Sequence, residues 1–389
     1  MSMGEKSGAG KLSALEELTT LPLRSENPYI RNWKDAGGKV FGYTCSYVPE
    51  EVLAALEGPS RILPIRLGGR GAQTTEDADI HMHKFLCSYS RSLIQLGMKG
   101  QYGFLDGVVV TSGCETMRRT HGLWKDVVGI PFVSLISVPH ATKGENRVKW
   151  YREEIDHLES DVCEAYALRF SEESLRKTIK TYNEYRRLMH ELYDLRKLDQ
   201  PKVTGSEVFN IIQAGFSMPK NLFNEKLKEA IAELKARPVI NNTGARIMLG
   251  GSDMGDPYLI DLIESLGATV VTDSLCAGRK YIDKMVDEGI DPMAAIMDRY
   301  FTHMPCPRML EATAERLEFV KKMALEARVD GVIFQKLAFC DNYAGENLMH
   351  RKALEADGIP VMEMELEYIP ADKGRFKTRI QAFLEKIGK

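Results

Sequence analysis

Two stretches of this chain repeat one order of local structure: a short apolar run, a loop of small residues that carries a cysteine, then a helix-forming stretch. In the first, Lys39-Val40-Phe41-Gly42-Tyr43 predicts a strand ending at Thr44-Cys45. Pro49-Glu50-Glu51 opens a short helix, with proline and acids where a first turn favours them. Ile62 to Arg66 predicts a strand, Ser88 to Gly97 a helix, and Asp106 to Val110 a buried strand. The loop Thr111-Ser112-Gly113-Cys114, a helix from Glu115 to Lys125 and a strand from Gly129 to Leu135 follow. Such alternation predicts a parallel sheet with crossover helices.

From about Gly144 to Ala236 the period changes to that of helices. Ser171 is an N-cap before Glu172 and Glu173, and Leu175, Ile179, Tyr182, Leu188, Leu192 and Leu195 form one stripe, read as core rather than as a cofactor platform. The second alternating stretch has strands at Ala245–Leu249, Thr269–Thr272, Asp330–Phe334 and Gly358–Met362, with helices at Asp256–Leu266, Met309–Ala327 and after Cys340. The expected fold class is therefore α/β, with two parallel-sheet domains, 1–145 and 239–389, and a helical segment, 146–238, between them.

The two stretches rhyme. Asp106-Gly107-Val108 answers Asp330-Gly331-Val332, and Gly129-Ile130-Pro131 answers Gly358-Ile359-Pro360. Six of the seven cysteines fall into ordered triplets, Cys45, Cys87 and Cys114, then Cys276, Cys306 and Cys340. Cys163, in the helical segment, reads as a structural spare.

Composition decides how those cysteines can be read. A formal charge of −3 argues against nucleic acid as the main partner, and no apolar stretch approaches the roughly 18 residues of a membrane span. The polar start lacks the apolar core of a secretory signal, so a cytoplasmic location is expected, where structural disulfides are rare. Buried filler, redox thiols, and metal or cluster ligands remain. Without a CxxC pair, any shared ligand must draw thiols from distant parts of the chain. Loops at the carboxyl edge of a parallel sheet are where that can happen, and Gly113 beside Cys114 suits a tight backbone with N–H donors to sulfide.

Other motifs carry less. Gly4 to Ser13 imitates a phosphate loop, but Glu5 stands where the first glycine belongs and Leu12 follows Lys11. Gly250-Gly251-Ser252 follows a strand and precedes a helix, which suits a phosphate- or thioester-bearing ligand, though it is not GxGxxG. His140, with His81 and His83, is a candidate proton carrier, and Glu50, Glu115 and Glu346 are candidate acids beside the cysteine loops.

Taken together, Phe41-Gly42-Tyr43-Thr44-Cys45-Ser46-Tyr47-Val48-Pro49-Glu50-Glu51, Leu86-Cys87-Ser88-Tyr89-Ser90-Arg91-Ser92, Ser112-Gly113-Cys114-Glu115-Thr116-Met117-Arg118-Arg119, Asp273-Ser274-Leu275-Cys276-Ala277-Gly278-Arg279, Pro305-Cys306-Pro307 and Gln335-Lys336-Leu337-Ala338-Phe339-Cys340-Asp341 resemble the signatures of the 2-hydroxyacyl-CoA dehydratase and benzoyl-CoA reductase subunit family. The resemblance implies two flavodoxin- or Rossmann-like domains with an oxygen-sensitive iron–sulfur centre between them. Single-cluster members hold a [4Fe-4S] cluster by three cysteines, for which Cys45, Cys114 and Cys340 match best. Double-cubane [8Fe-9S] relatives use three per cubane, which Cys87, Cys276 and Cys306 would complete. It further implies an acyl-CoA thioester substrate, a related partner subunit in a heterodimer or homodimer, and a separate ATP-hydrolysing iron–sulfur activator. The leading expectation is the iron–sulfur subunit of an ATP-dependent benzoyl-CoA reductase. A 2-hydroxyacyl-CoA dehydratase subunit, or an electron-transfer subunit whose partner binds the substrate, are the alternatives.

Overall fold

A computed structural model describes residues 12–21, 27–240, 244–302, 306–369 and 373–388. The phosphate-loop imitation up to Lys11 and Pro305 of the Pro-Cys-Pro motif lie outside them. The chain enters through α1 (Ala14–Thr20), closed by a Ser13/Glu16 capping box, and α2 (Pro28–Asp35), capped by Asn27.

The first sheet contains β1 (Lys39–Tyr43), β2 (Ile62–Arg66), β3 (Gly107–Thr111) and β4 (Phe132–Ile136), in the order β2-β1-β3-β4 with every pair parallel. β3 is buried along its whole length, which explains its unbroken apolar run: a parallel strand is covered on both faces. β4 starts only at Phe132, because Pro131 has no N–H for the ladder. Three helices serve this sheet: α3 (Glu50–Ala55), α4 (Ser88–Met98) and α5 (Glu115–Asp126).

Next comes the helical layer, α6 (Glu145–Tyr166), α7 (Glu172–Lys197), α8 (Gly205–Gly215) and α9 (Lys220–Ala236). Ser171 caps α7 by accepting from the Ser174 N–H at 3.2 Å, and the Leu175-to-Leu195 stripe is buried. This layer is shared between the two sheets. α7 packs on α3 and also on strand 269–275 of the second sheet. Its Arg186 pairs with Glu51, two fully buried charges that also engage Asn183 and Tyr300.

The second sheet contains β5 (Arg246–Gly251), β6 (Thr269–Leu275), β7 (Gly331–Leu337) and β8 (Val361–Leu366), ordered β6-β5-β7-β8 and again all parallel. The strand order therefore repeats. Its helices are α10 (Tyr258–Ser265), the single turn α11 (Arg279–Ile282), α12 (Pro292–Thr302), α13 (Thr313–Glu326), α14 (Asp341–Ala356) and α15 (Lys373–Lys386). The helix expected from Met309 begins as a 3-10 turn at Leu310–Ala312. Helices α1, α2, α11, α12 and α15 add to the expected set. Of these, α12 sends Met293, Ile296 and Tyr300 into one core with Tyr47, Val52 and Tyr151 of the first half. Among the described residues no helix is long and apolar enough to cross a membrane.

Candidate functional site

In both sheets the strand order reverses between the first and third strands, and the crevice outside the carboxyl ends at that point is where such folds bind ligands. Here the two crevices face each other. A cleft of about 140 Å³ lies between them, lined from six strand ends, and it takes in Cys45, Cys87, Cys114, Cys276, Cys306 and Cys340. Cys163 stands apart on α6, against the core of the first half.

Local structure explains each placement. Cys45 leaves the end of β1, Cys276 the end of β6, and Cys114 and Cys340 follow β3 and β7. Cys87, Cys114 and Cys340 are the N-cap residues of α4, α5 and α14. There the helix dipole favours negative charge, and the Cys114 sulfur accepts from the Met117 N–H at 3.4 Å. Gly113 lines the cleft, and a Cβ there would lie 3.2 Å from the Thr111 hydroxyl and in ordinary contact with the Cys45 sulfur at 3.5 Å. Cys306 is held by its N–H donating to Tyr47 and by Arg316 donating to its carbonyl.

The rim is stitched across the two halves. Ser46 Oγ donates to the Cys276 carbonyl at 3.3 Å, Asn342 donates to the Gly113 carbonyl at 3.4 Å, and Arg308 donates to the Ser112 carbonyl at 3.0 Å. Arg66, from the end of β2, meets Asp253, from the end of β5, at 3.5 Å. Outside the cleft, the exposed Phe85 ring lies 5.3 Å from that of Phe339, which has a positive φ of 61°.

Burial dominates the chemistry of the thiols. It pushes Cys114 up to about 11, with Cys87 and Cys45 adding to the shift, and Cys340 up to about 12, with Cys87, Cys276 and Cys114 adding. Cys306 is raised by burial and then by Cys276 and Cys45. These mutual effects, together with the cores the loops pack on, cut across the chain-order triplets. Cys87, Cys114 and Cys340 share one core, whereas Cys45 and Cys306 share another and have Cys276 beside Cys306. Among the described residues no three Cys, His, Asp or Glu side chains converge as a site for a single metal ion.

The expected acids and proton carriers are placed elsewhere. Glu50 is buried at the start of α3, where it pairs with Lys220 at 3.2 Å and accepts from Tyr43 at 3.0 Å, so it belongs to the core. The Glu115 side chain is 54% exposed and bound to Arg118 and Arg119. His140 is exposed, and it too is absent from the cleft wall. Glu346 is held at about 2 by His350 and Arg316, the interactions that outweigh its burial. Gly250 and Gly251 do not reach the cleft either. A Cβ on Gly250 would meet the Phe334 ring at 2.5 Å, and one on Gly251, at φ +125°, would meet the Gln335 carbonyl at 1.7 Å. Their small size serves the β5–β7 contact. Ser252 does line the cleft, though its hydroxyl is engaged with Gln335 and the Leu337 N–H.

Sequence reasoning passed over the charged groups that are present. Asp253, one residue beyond the glycine motif, supplies the only carboxylate among the described lining residues, and burial raises it. Arg66 and Lys280 bring the cations, and Tyr343 a hydroxyl. The one available signal was their position next to strand ends.

The family model for the D-component of 2-hydroxyglutaryl-CoA dehydratase matches residues 45–387, and the chain belongs to that family of dehydratase and reductase components. Among individual proteins, it is 27% identical over 344 residues to a benzoyl-CoA reductase subunit of Thauera aromatica, covering 86% of this chain and 88% of that one. It is 24% identical over 370 residues to the (R)-phenyllactyl-CoA dehydratase beta subunit of Clostridium sporogenes, covering 93% and 96%. With the beta subunit of (R)-2-hydroxyglutaryl-CoA dehydratase from Acidaminococcus fermentans it shares 23% over 386 residues, covering 97% and 100%. All three relatives are named as subunits of larger enzymes.

Proposed function

We propose that the protein is a cytoplasmic iron–sulfur subunit of an ATP-dependent benzoyl-CoA reductase, carrying low-potential electrons for dearomatisation of an aryl-CoA thioester. The observation that carries the reading is the gathering of six thiols, from both halves of the chain, at the facing switch points of two parallel sheets.

The residues fit such a group. The donor set is rich in sulfur, the ligand type that iron–sulfur clusters require, and its one carboxylate is already paired with Arg66. In a cluster each thiolate binds a different iron, so the sulfurs need not converge on one point. The buried Thr44 hydroxyl lines the cleft and has no hydrogen-bond partner among the described residues. The raised thiols would have to release their protons on loading, and the N-termini of α4, α5 and α14 favour the resulting negative charge. Six cleft thiols, rather than three, favour a double-cubane [8Fe-9S] centre over a [4Fe-4S] cluster held by Cys45, Cys114 and Cys340 alone. Such a centre would supply single electrons at the low end of the known potential range.

The chain's own residues then have defined tasks. The six cysteines bind, the interlocked rim restricts water, and the Arg66–Asp253 pair ties the two halves together at the cleft wall. ATP hydrolysis belongs to the separate activator, and the related partner subunit shares the CoA thioester. A second reading, a subunit of a 2-hydroxyacyl-CoA dehydratase, is favoured by the names of two of the relatives above.

Anoxic iron and sulfide analysis tests the cofactor, with about eight irons per chain expected and about four pointing to the single cluster. Assays with a matched activator test the reaction. Aryl-CoA reduction with electron consumption supports the first reading, and turnover of a 2-hydroxyacyl-CoA without net consumption supports the second. Coenzyme A bound only by the partner would assign this chain electron transfer alone. Colourless, iron-free protein that is folded and active would overturn both readings.

A further inference from the structure

The wall beside Cys276 carries a cation without an acid. Lys280 is 8% exposed and lines the cleft, and among the described residues it has no carboxylate partner. Its Nζ lies 3.2 Å from the Tyr343 hydroxyl and 5.1 Å from the centre of that ring. An ammonium can only donate, so the Tyr343 oxygen accepts from it. The hydroxyl has one hydrogen left to give, and the Cys276 sulfur stands 2.9 Å away. Once the Cys276 sulfur binds iron it has no proton to give, and the direction of the chain is then lysine to tyrosine, tyrosine to sulfur.

The backbone holds this arrangement in place. Asp273, gripped by Arg196 at 2.9 Å and Tyr193 at 2.7 Å, accepts from the Arg279 N–H at 3.0 Å. A Cβ at Gly278 would fall 1.9 Å from the Asp273 carboxylate, so only glycine lets the turn close over it. Cys276 and Lys280 therefore leave β6 on a clamped turn, and Tyr343 reaches them from α14.

We infer that Lys280 and Tyr343 are positioning residues that stabilise negative charge on the Cys276 sulfur and thereby raise the reduction potential of the iron centre this sulfur binds. The inference rests on the cluster reading above. Hydrogen bonds to cluster sulfurs and nearby positive charge favour the reduced, more negative state.

The test is a redox titration of the anoxically purified protein, followed by electron paramagnetic resonance, with iron counted in each sample. Tyr343→Phe removes only the hydroxyl, Lys280→Met removes the charge, and Lys280→Arg keeps it. Full iron with a more negative midpoint is expected for Tyr343→Phe and Lys280→Met, and a return toward the parent value for Lys280→Arg. An unmoved midpoint in iron-replete Tyr343→Phe overturns the inference and leaves the cluster reading standing. Loss of iron from Tyr343→Phe also overturns it, in favour of a purely structural role. If Lys280→Met alone sheds iron, the near-isosteric Tyr343→Phe decides. An iron-free parent protein removes the cluster reading and this inference together.

Discussion

After its first strand, the N-terminal sheet places Cys45 in the cleft, while the C-terminal sheet places Ser252 and Asp253 there. After the second strand the assignment is reversed, with Arg66 in the N-terminal half and Cys276 in the C-terminal half. The halves agree farther along the crossover from second to third strand, which brings Cys87 in one and Cys306 in the other, and again after the third strand, each with a cysteine at a helix N-cap, Cys114 and Cys340. The swapped positions meet across the cleft. Arg66 pairs with Asp253, and the Cys45 loop touches the Cys276 loop through Ser46. Two copies of one strand order have thus acquired complementary loops, with thiols where the other half has ions. The lesson is that a repeated framework does not imply repeated site residues.

The largest effect expected bears on the shared third-strand position. Cys114→Ser and Cys340→Ser should each lose most bound iron and activity together while circular dichroism shows the fold retained. Full iron in either variant would break the equivalence of the two N-caps.

The swapped ion pair comes next. Arg66→Met leaves Asp253 buried without its partner and should destabilise the metal-free protein by about 3 kcal/mol in urea unfolding. The double variant Arg66→Met/Asp253→Asn should regain most of that. Equal losses in the single and double variants would show that the pair is not coupled.

A smaller effect separates the thiols by pH. Cys114 and Cys340 are held at about 11 and about 12, above the ordinary 9.0. A neutral thiol is inert, so in metal-free protein both should alkylate at pH 8 on the order of tenfold or more slowly than a free cysteine. The rate should climb as the pH approaches those values. The stability gained by keeping these thiols protonated is present below the ordinary value and is lost as pH rises through the raised ones. Fast labelling of either residue at pH 8 would contradict the burial that groups them.

The smallest effect belongs to a surface ion pair. Glu115→Gln removes only exposed contacts to Arg118 and Arg119 and should change stability by less than about 0.5 kcal/mol. A large loss would give the first turn of α5 a weight its counterpart on α14 lacks.

Much of this architecture was legible in the sequence because its strands are covered on both faces. Gly107-Val108-Val109-Val110-Thr111 cannot be mistaken for a half-exposed strand, and a cysteine just beyond it falls at the sheet edge. Grouping the cysteines was harder. Chain order pairs Cys45 with Cys276, yet one follows a first strand and the other a second, and only the fold counts strands. The acids misled for a related reason. Glu50 and Glu115 stand at helix starts, which acids occupy for the dipole alone, and whether such a residue faces a cleft, a lysine or solvent is decided by tertiary packing. Lys280 has no local signature at all, because its significance lies in a tyrosine from another helix.

The sixth thiol of the cleft, Cys340, follows β7 and lies 340 − 45 = 295 residues beyond the first, Cys45. A nascent protein emerging from the ribosome therefore cannot complete the cleft until β7 has been made, however early its first sheet folds. A chain cut before β7 would keep its first sheet and lose the wall of the cleft that Leu337, Cys340 and Tyr343 supply.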